Sequence, residues 1–199
     1  MTKKSTAVIY LGAIASLFLA ILLYRGGNYA NDGLNFQWTT NFISDLGLTT
    51  SQPLVRGLFG VGMLLTGLAV VRVCANKRRF QLGSAILLMV LGVAITIIPA
   101  DLHLILHRDI FVLLLITTAV LWSTLIKSVL GDSIYKKIST ALAAAVLWAY
   151  LIFIFVAPRP ETSLHFSMIH AQVEKTAFVI FLLSLAVLVF DSPKPITQL

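Results

Sequence analysis

Long apolar runs alternate with short polar connections along the chain, and six of them reach the length of a membrane span: Ala7 to Tyr24, Pro53 to Cys74, Leu82 to Ile98, Leu102 to Ile126, Ile138 to Ala157 and Ala171 to Phe190. At about 1.5 Å of rise per residue, each approaches the roughly 30 Å hydrocarbon core of a bilayer. The pattern predicts an all-α integral membrane bundle of six transmembrane helices. It forms one domain over residues 1–199, with a long outer loop at 25–52. Lys3 and Lys4 precede the first run as they would in a signal peptide. That run is too long for one, however, and ends in Tyr24-Arg25-Gly26 without a small-residue cleavage site, so it reads as a retained span.

Composition excludes a water-soluble fold. Hydrophobic residues make up 58% of the chain and charged ones 12%, against about 25% charged in soluble domains. Mean hydropathy is +0.94. The 15 basic and 8 acidic residues leave a net charge of +7, which in a soluble protein would suggest nucleic acid. Sorted by the predicted spans with the N-terminus inside, ten basic and two acidic residues fall on the cytoplasmic side, and five basic and six acidic ones outside. The excess is then a topology signal with both termini cytoplasmic, and a nucleic-acid partner loses its main support. Tyr24 and Tyr135 fit interfacial anchors at opposite faces. The lone cysteine, Cys74, excludes internal disulfides and multi-cysteine metal clusters. The expected location is the cytoplasmic membrane of a prokaryote.

Candidate chemistry concentrates on the predicted outer side, which holds all four histidines and six of the eight carboxylates. His103 and His107 are four residues apart, as are His170 and Glu174, so each pair shares a helix face. Counting back about 20 residues from Lys127 and from Asp191 puts His107 and His170 at similar depth, near the outer boundary. The expectation is a site of His103, His107, His170 and Glu174 for zinc or another divalent first-row metal. Asp101 reads as a ligand, an outer partner of one, or a helix N-cap. His165, about 140° around a helix from His170, faces the outer loop.

Such a metal would activate water against a lipid ester or amide, with Asp45 or Asp101 as general base. Ser44 is a conceivable nucleophile, although Ser44-Asp45-Leu46-Gly47 lacks the Gly-x-Ser-x-Gly elbow. The same residues have plainer uses. Histidines at an interface satisfy headgroups or loop carbonyls, Glu174 can neutralise Lys175 or Arg108, and an Asp45–Arg56 pair can pin the long loop over the bundle mouth. Gly57, Gly60, Gly62 and Gly67 mark the second span as a close-packing helix. Three readings follow: a metal-assisted lipid hydrolase or acyl-transfer enzyme, a non-catalytic lipid-binding or transport protein, and a partner subunit. The partners expected are membrane lipids and a divalent metal.

The segment Asn41 to Gly47, followed by Pro53 and by Arg56-Gly57-Leu58-Phe59-Gly60, resembles the small six-span family known as domain of unknown function 998. Ile97-Ile98-Pro99-Ala100-Asp101-Leu102-His103 is similar to the Pro, acidic residue and His that follow that family's third span. The element Ile43 to Gly47 also resembles the six-span Frag1/DRAM/Sfk1 group, some of whose members are implicated in lipid remodelling or autophagy. The resemblance implies the six-span architecture; the closer family has no established activity. A more distant similarity is to the multi-span hydrolases that include alkaline ceramidases, from which this chain departs in having six spans and Glu174 where a second histidine would stand.

Overall fold

The computed structural model describes residues 3–24, 36, 41–48, 51–157 and 164–191. The remainder of the predicted loop 25–52 lies outside the described residues, as do the side chains of Ser44 and His165. Six α-helices account for nearly all of it: α1 (Lys3–Leu23), α2 (Pro53–Cys74), α3 (Arg79–Ile97), α4 (Leu104–Ser128), α5 (Ile134–Val156) and α6 (Leu164–Phe190). A short 3-10 helix, Ile43–Gly47, precedes α2. There is no strand among the described residues. All six helices are long and apolar enough to cross a membrane, the architecture of an integral multi-pass membrane protein.

Local chemistry sets the helix ends. Pro53 opens α2 where its missing N–H costs nothing. Ser133 caps α5, its Oγ accepting from Lys136 N at 3.3 Å and donating to the carboxylate of Asp191 at the end of α6. Gln81 accepts from Arg78 N and donates across to Thr124 O of α4 at 3.0 Å. Pro99 shifts one predicted boundary. The amides of Leu102 and His103 turn back onto its carbonyl, and α4 begins only at Leu104. At the other extreme, α6 begins at Leu164, well before the apolar run that predicts it; a helix satisfies its own backbone and does not stop where side chains turn polar.

Each helix packs on its sequence neighbours, and α1 closes the ring against α6, where Tyr10 Oη donates to Leu182 O at 2.9 Å. Within lipid there is little hydrophobic gain in bringing helices together, so close packing and interhelical hydrogen bonds hold the ring. Trp122 Nε1 of α4 donates to Ser184 Oγ of α6 at 2.9 Å, and Trp148 Nε1 of α5 donates to Ser123 Oγ of α4 at 3.0 Å. The main core surrounds the fully buried Trp122. A second cluster sits where the 3-10 helix wedges against α1 and α2 through Leu46, Tyr24, Val55 and Phe59. Tyr24 is therefore a core residue packed edge-on against Phe36, with centroids 5.7 Å apart, and not the lipid-facing anchor that its position suggests. Tyr135 is exposed, as an anchor should be.

Candidate functional site

The polar residues of the bundle end that carries the 3-10 helix fall into three groups. The first organises the 3-10 helix itself. Asp45 is buried, and its Oδ2 accepts from Phe42 N at 2.8 Å and from Asn41 Nδ2 at 3.2 Å. Its carbonyl accepts from Ser51 Oγ at 2.8 Å, tying the segment to the start of α2. A carboxylate reaching back to the amide before its own helix closes one free donor of that helix. Asp45 thus holds local backbone in place of the Arg56 partner expected for it; Arg56 Nε is buried without a hydrogen-bond partner among the described residues.

The second group joins α3 to α4. His103 is exposed and caps α4 with φ −140° and ψ 58°, its carbonyl accepting from His107 N at 2.8 Å. His107 is buried, and its Nδ1 donates to the carbonyl of Ile98 at 2.6 Å, closing the C-terminus of α3. The carbonyl can only accept, which assigns the ring proton to Nδ1. Asp101 is exposed in the turn between the two helices, and the residue at the N-cap position of α4 is His103.

The third group lies on α6. His170, Glu174 and Lys175 are all buried. His170 packs on Phe153 of α5, ring centroids 4.6 Å apart. Lys175, about 100° around the helix from Glu174, turns to the 3-10 segment: its ammonium donates to the carbonyl of Asn41 and lies 5.8 Å from the Phe36 ring centroid. It is 1% exposed, a depth at which an ammonium is held only by such partners.

Geometry therefore separates the residues that sequence spacing groups together. Among the described residues, no three His, Cys, Asp or Glu side chains assemble as metal ligands. His103, His107, His170 and Glu174 are not brought together as the expected tetrad: His103 is exposed, whereas the other three are buried. No family model, curated protein or solved structure matches the chain.

Between the helices lies an apolar cavity of about 100 Å³. Phe59, Leu115, Phe178 and Phe181 contribute to its walls, and Ile43 of the 3-10 helix to one end. Thr66 and Thr118 also line it, but their hydroxyls donate to Gly62 O and Leu114 O of their own helices at 2.8 and 2.7 Å. The ionisable groups facing the cavity are Tyr150 of α5 and Glu174 of α6, both buried. Glu174 shares its helix face with Ala177, Phe178 and Phe181, which line the same space. Tyr150, and the role of Lys175 in seating the 3-10 segment, escape a search for metal-ligand spacing. The available signal is the adjacency of Glu174 and Lys175 within a span, since two ionisable groups at that depth each need a partner or a task.

Proposed function

We propose that the protein binds a lipid-like amphiphile without turning it over: hydrocarbon fills the cavity between the helices, and the polar part of the ligand meets Glu174 and Tyr150. The observation that carries this reading is the cavity itself, apolar over nearly all its lining with two convergent polar groups, the general form of a small-molecule site. Its volume is of the order of the ~150 Å³ apolar cavities that stay dry and take up benzene, enough for a short stretch of hydrocarbon. With both termini cytoplasmic, the orientation favoured by the basic excess, the 3-10 helix, Glu174 and Lys175 lie toward the outer leaflet.

The test fills the cavity from a position with room for a side chain. A Cβ at Gly92 would meet only Met63 Cε at 3.5 Å, while one at Gly83 of the same helix would meet nothing within 4 Å. Gly92→Leu should lose the lipid that copurifies with the parent by native mass spectrometry, Glu174→Gln should weaken its retention, and Gly83→Leu should keep it. Equal lipid content in Gly92→Leu and the parent, with both folded by thermal melting, refutes the site. A hydrolysed lipid appearing on incubation with the purified protein would replace binding with catalysis.

A further inference from the structure

The cavity between the helices has a chemically one-sided polar end. Among the described residues its ionisable lining is Glu174 and Tyr150, close enough for the carboxylate's charge to act on the phenol. Three basic side chains lie toward the same end of the bundle, Arg56, His170 and Lys175, and none of them lines the cavity. Resting on the reading of this cavity as an amphiphile site, we propose that the ligand held there carries a cationic amine head, and that carboxylate and phosphate heads are rejected.

Packing around α6 decides where the charges point. Lys175 follows Glu174 by about 100° of helix rotation. Its ammonium donates to the carbonyl of Asn41 near the Phe36 ring, with its charge shared between Glu174 and Asp45. His170 is one turn from Glu174 but packs on Phe153 of α5. The carboxylate is thus the charged group presented to a ligand in the cavity. An ionised carboxylate only accepts, at about four lone-pair sites on its two oxygens, so its interactions within the protein leave acceptors toward the cavity. The phenol of Tyr150 accepts as well as donates. An ammonium head supplies three donors and the opposite charge. In apolar surroundings its attraction to the carboxylate is greater than in water, and the repulsion between like charges grows equally. A carboxylate or phosphate head would face Glu174 with no cation among the described lining residues to offset it. Thr66 and Thr118 offer such a head no donor, since their hydroxyls already donate to Gly62 O and Leu114 O.

The experiment compares three amphiphiles of one chain length, dodecylamine, dodecanol and dodecanoate, for binding to the full chain in detergent micelles at about pH 8, where the amine is cationic and the acid ionised. Bound amphiphile is counted by native mass spectrometry from equimolar mixtures. Binding to Gly92→Leu, whose side chain fills the cavity, is subtracted as partition elsewhere on the protein. The amine should bind about tenfold more tightly than the alcohol, the difference expected when a neutral hydrogen bond becomes a charge-assisted one, and the acid should bind more weakly than the alcohol. Glu174→Gln, which keeps the shape and removes the charge, should abolish the preference for the amine. Asp109→Asn, which removes an exposed carboxylate near the start of α4, should keep the parent's order. Thermal melting checks that each variant is folded, and if Glu174→Gln is not, the order of the three heads in the parent decides alone. Dodecanol or dodecanoate bound as tightly as dodecylamine, or the parent's order retained in a folded Glu174→Gln, overturns the amine assignment and leaves the cavity as a binding site. No amphiphile bound by the parent beyond Gly92→Leu would instead overturn the binding reading beneath it.

Discussion

A methyl group at Gly67 would lie 2.7 Å from Cβ and Cγ of Met89 and 2.8 Å from its Cα. Carbon atoms pack at about 3.5–4.0 Å, so α2 and α3 would have to part by about 0.7–1 Å at this point. A gap of that size forfeits a quarter to a half of each ~0.1–0.2 kcal/mol contact, and over some tens of contacts the loss reaches about 1–3 kcal/mol. The obstacle includes backbone, so a change of rotamer does not remove it. Alanine's better helix propensity returns at most about 1 kcal/mol. Gly67→Ala should therefore destabilise the protein by up to about 2 kcal/mol net, and by about 1–3 kcal/mol relative to an alanine at an unobstructed position of the same helix. Three glycines of the same helix calibrate the reasoning. A Cβ at Gly57 meets nothing within 4 Å, one at Gly60 makes an ordinary 3.5 Å contact with Thr96 Oγ1, and one at Gly62 comes within 2.6 and 2.7 Å of Leu17 Cγ and Cδ2 but no nearer than 3.3 Å to its backbone. Unfolding in mild detergent, followed by far-UV circular dichroism against temperature or added dodecyl sulfate, should rank the alanine variants with Gly57 and Gly60 most stable, Gly62 next and Gly67 last. A Gly67→Ala variant as stable as Gly57→Ala would refute the account of the α2–α3 contact.

The bond from His107 to Ile98 O predicts that His107→Phe costs about 1–3 kcal/mol by leaving the carbonyl without its donor. His107→Asn, whose amide nitrogen reaches nearly the same place, should recover part of the loss in the same melts; equal stability of the two variants would sink this role. Ser184→Ala removes the acceptor of the buried Trp122 Nε1 and should cost about 0.6 kcal/mol, at most about 1.7, the range for interhelical hydrogen bonds in membranes. An unchanged unfolding midpoint would mean that this bond does not help to hold α4 on α6.

The six spans are readable from the sequence because span length is imposed by the bilayer and hydropathy is additive along the chain. Boundaries slip where backbone chemistry intervenes, as at Pro99, which delays α4 to Leu104 and leaves His103 as its exposed N-cap while His107 is buried. The candidate site is legible in depth but not in direction. Glu174 and Lys175 are adjacent in the chain, yet one faces the apolar cavity and the other reaches the carbonyl of Asn41. The four glycines of α2 read alike, and only the approach of Leu17 and Met89 distinguishes two of them.

The sequence by itself determined the number of spans and the unequal distribution of charge between the two sets of connections, both properties of local composition. Tertiary structure decided which side of each helix faces inward. Val8, Val90 and Ile152 are exposed while Ala13, Leu88 and Leu151 are buried, with no difference in polarity between the two sets. In a soluble helix the apolar stripe marks the interior, whereas a helix that meets lipid on one side and protein on the other is apolar all round. With that cue absent, the direction of each rare polar side chain is set by how neighbouring helices pack.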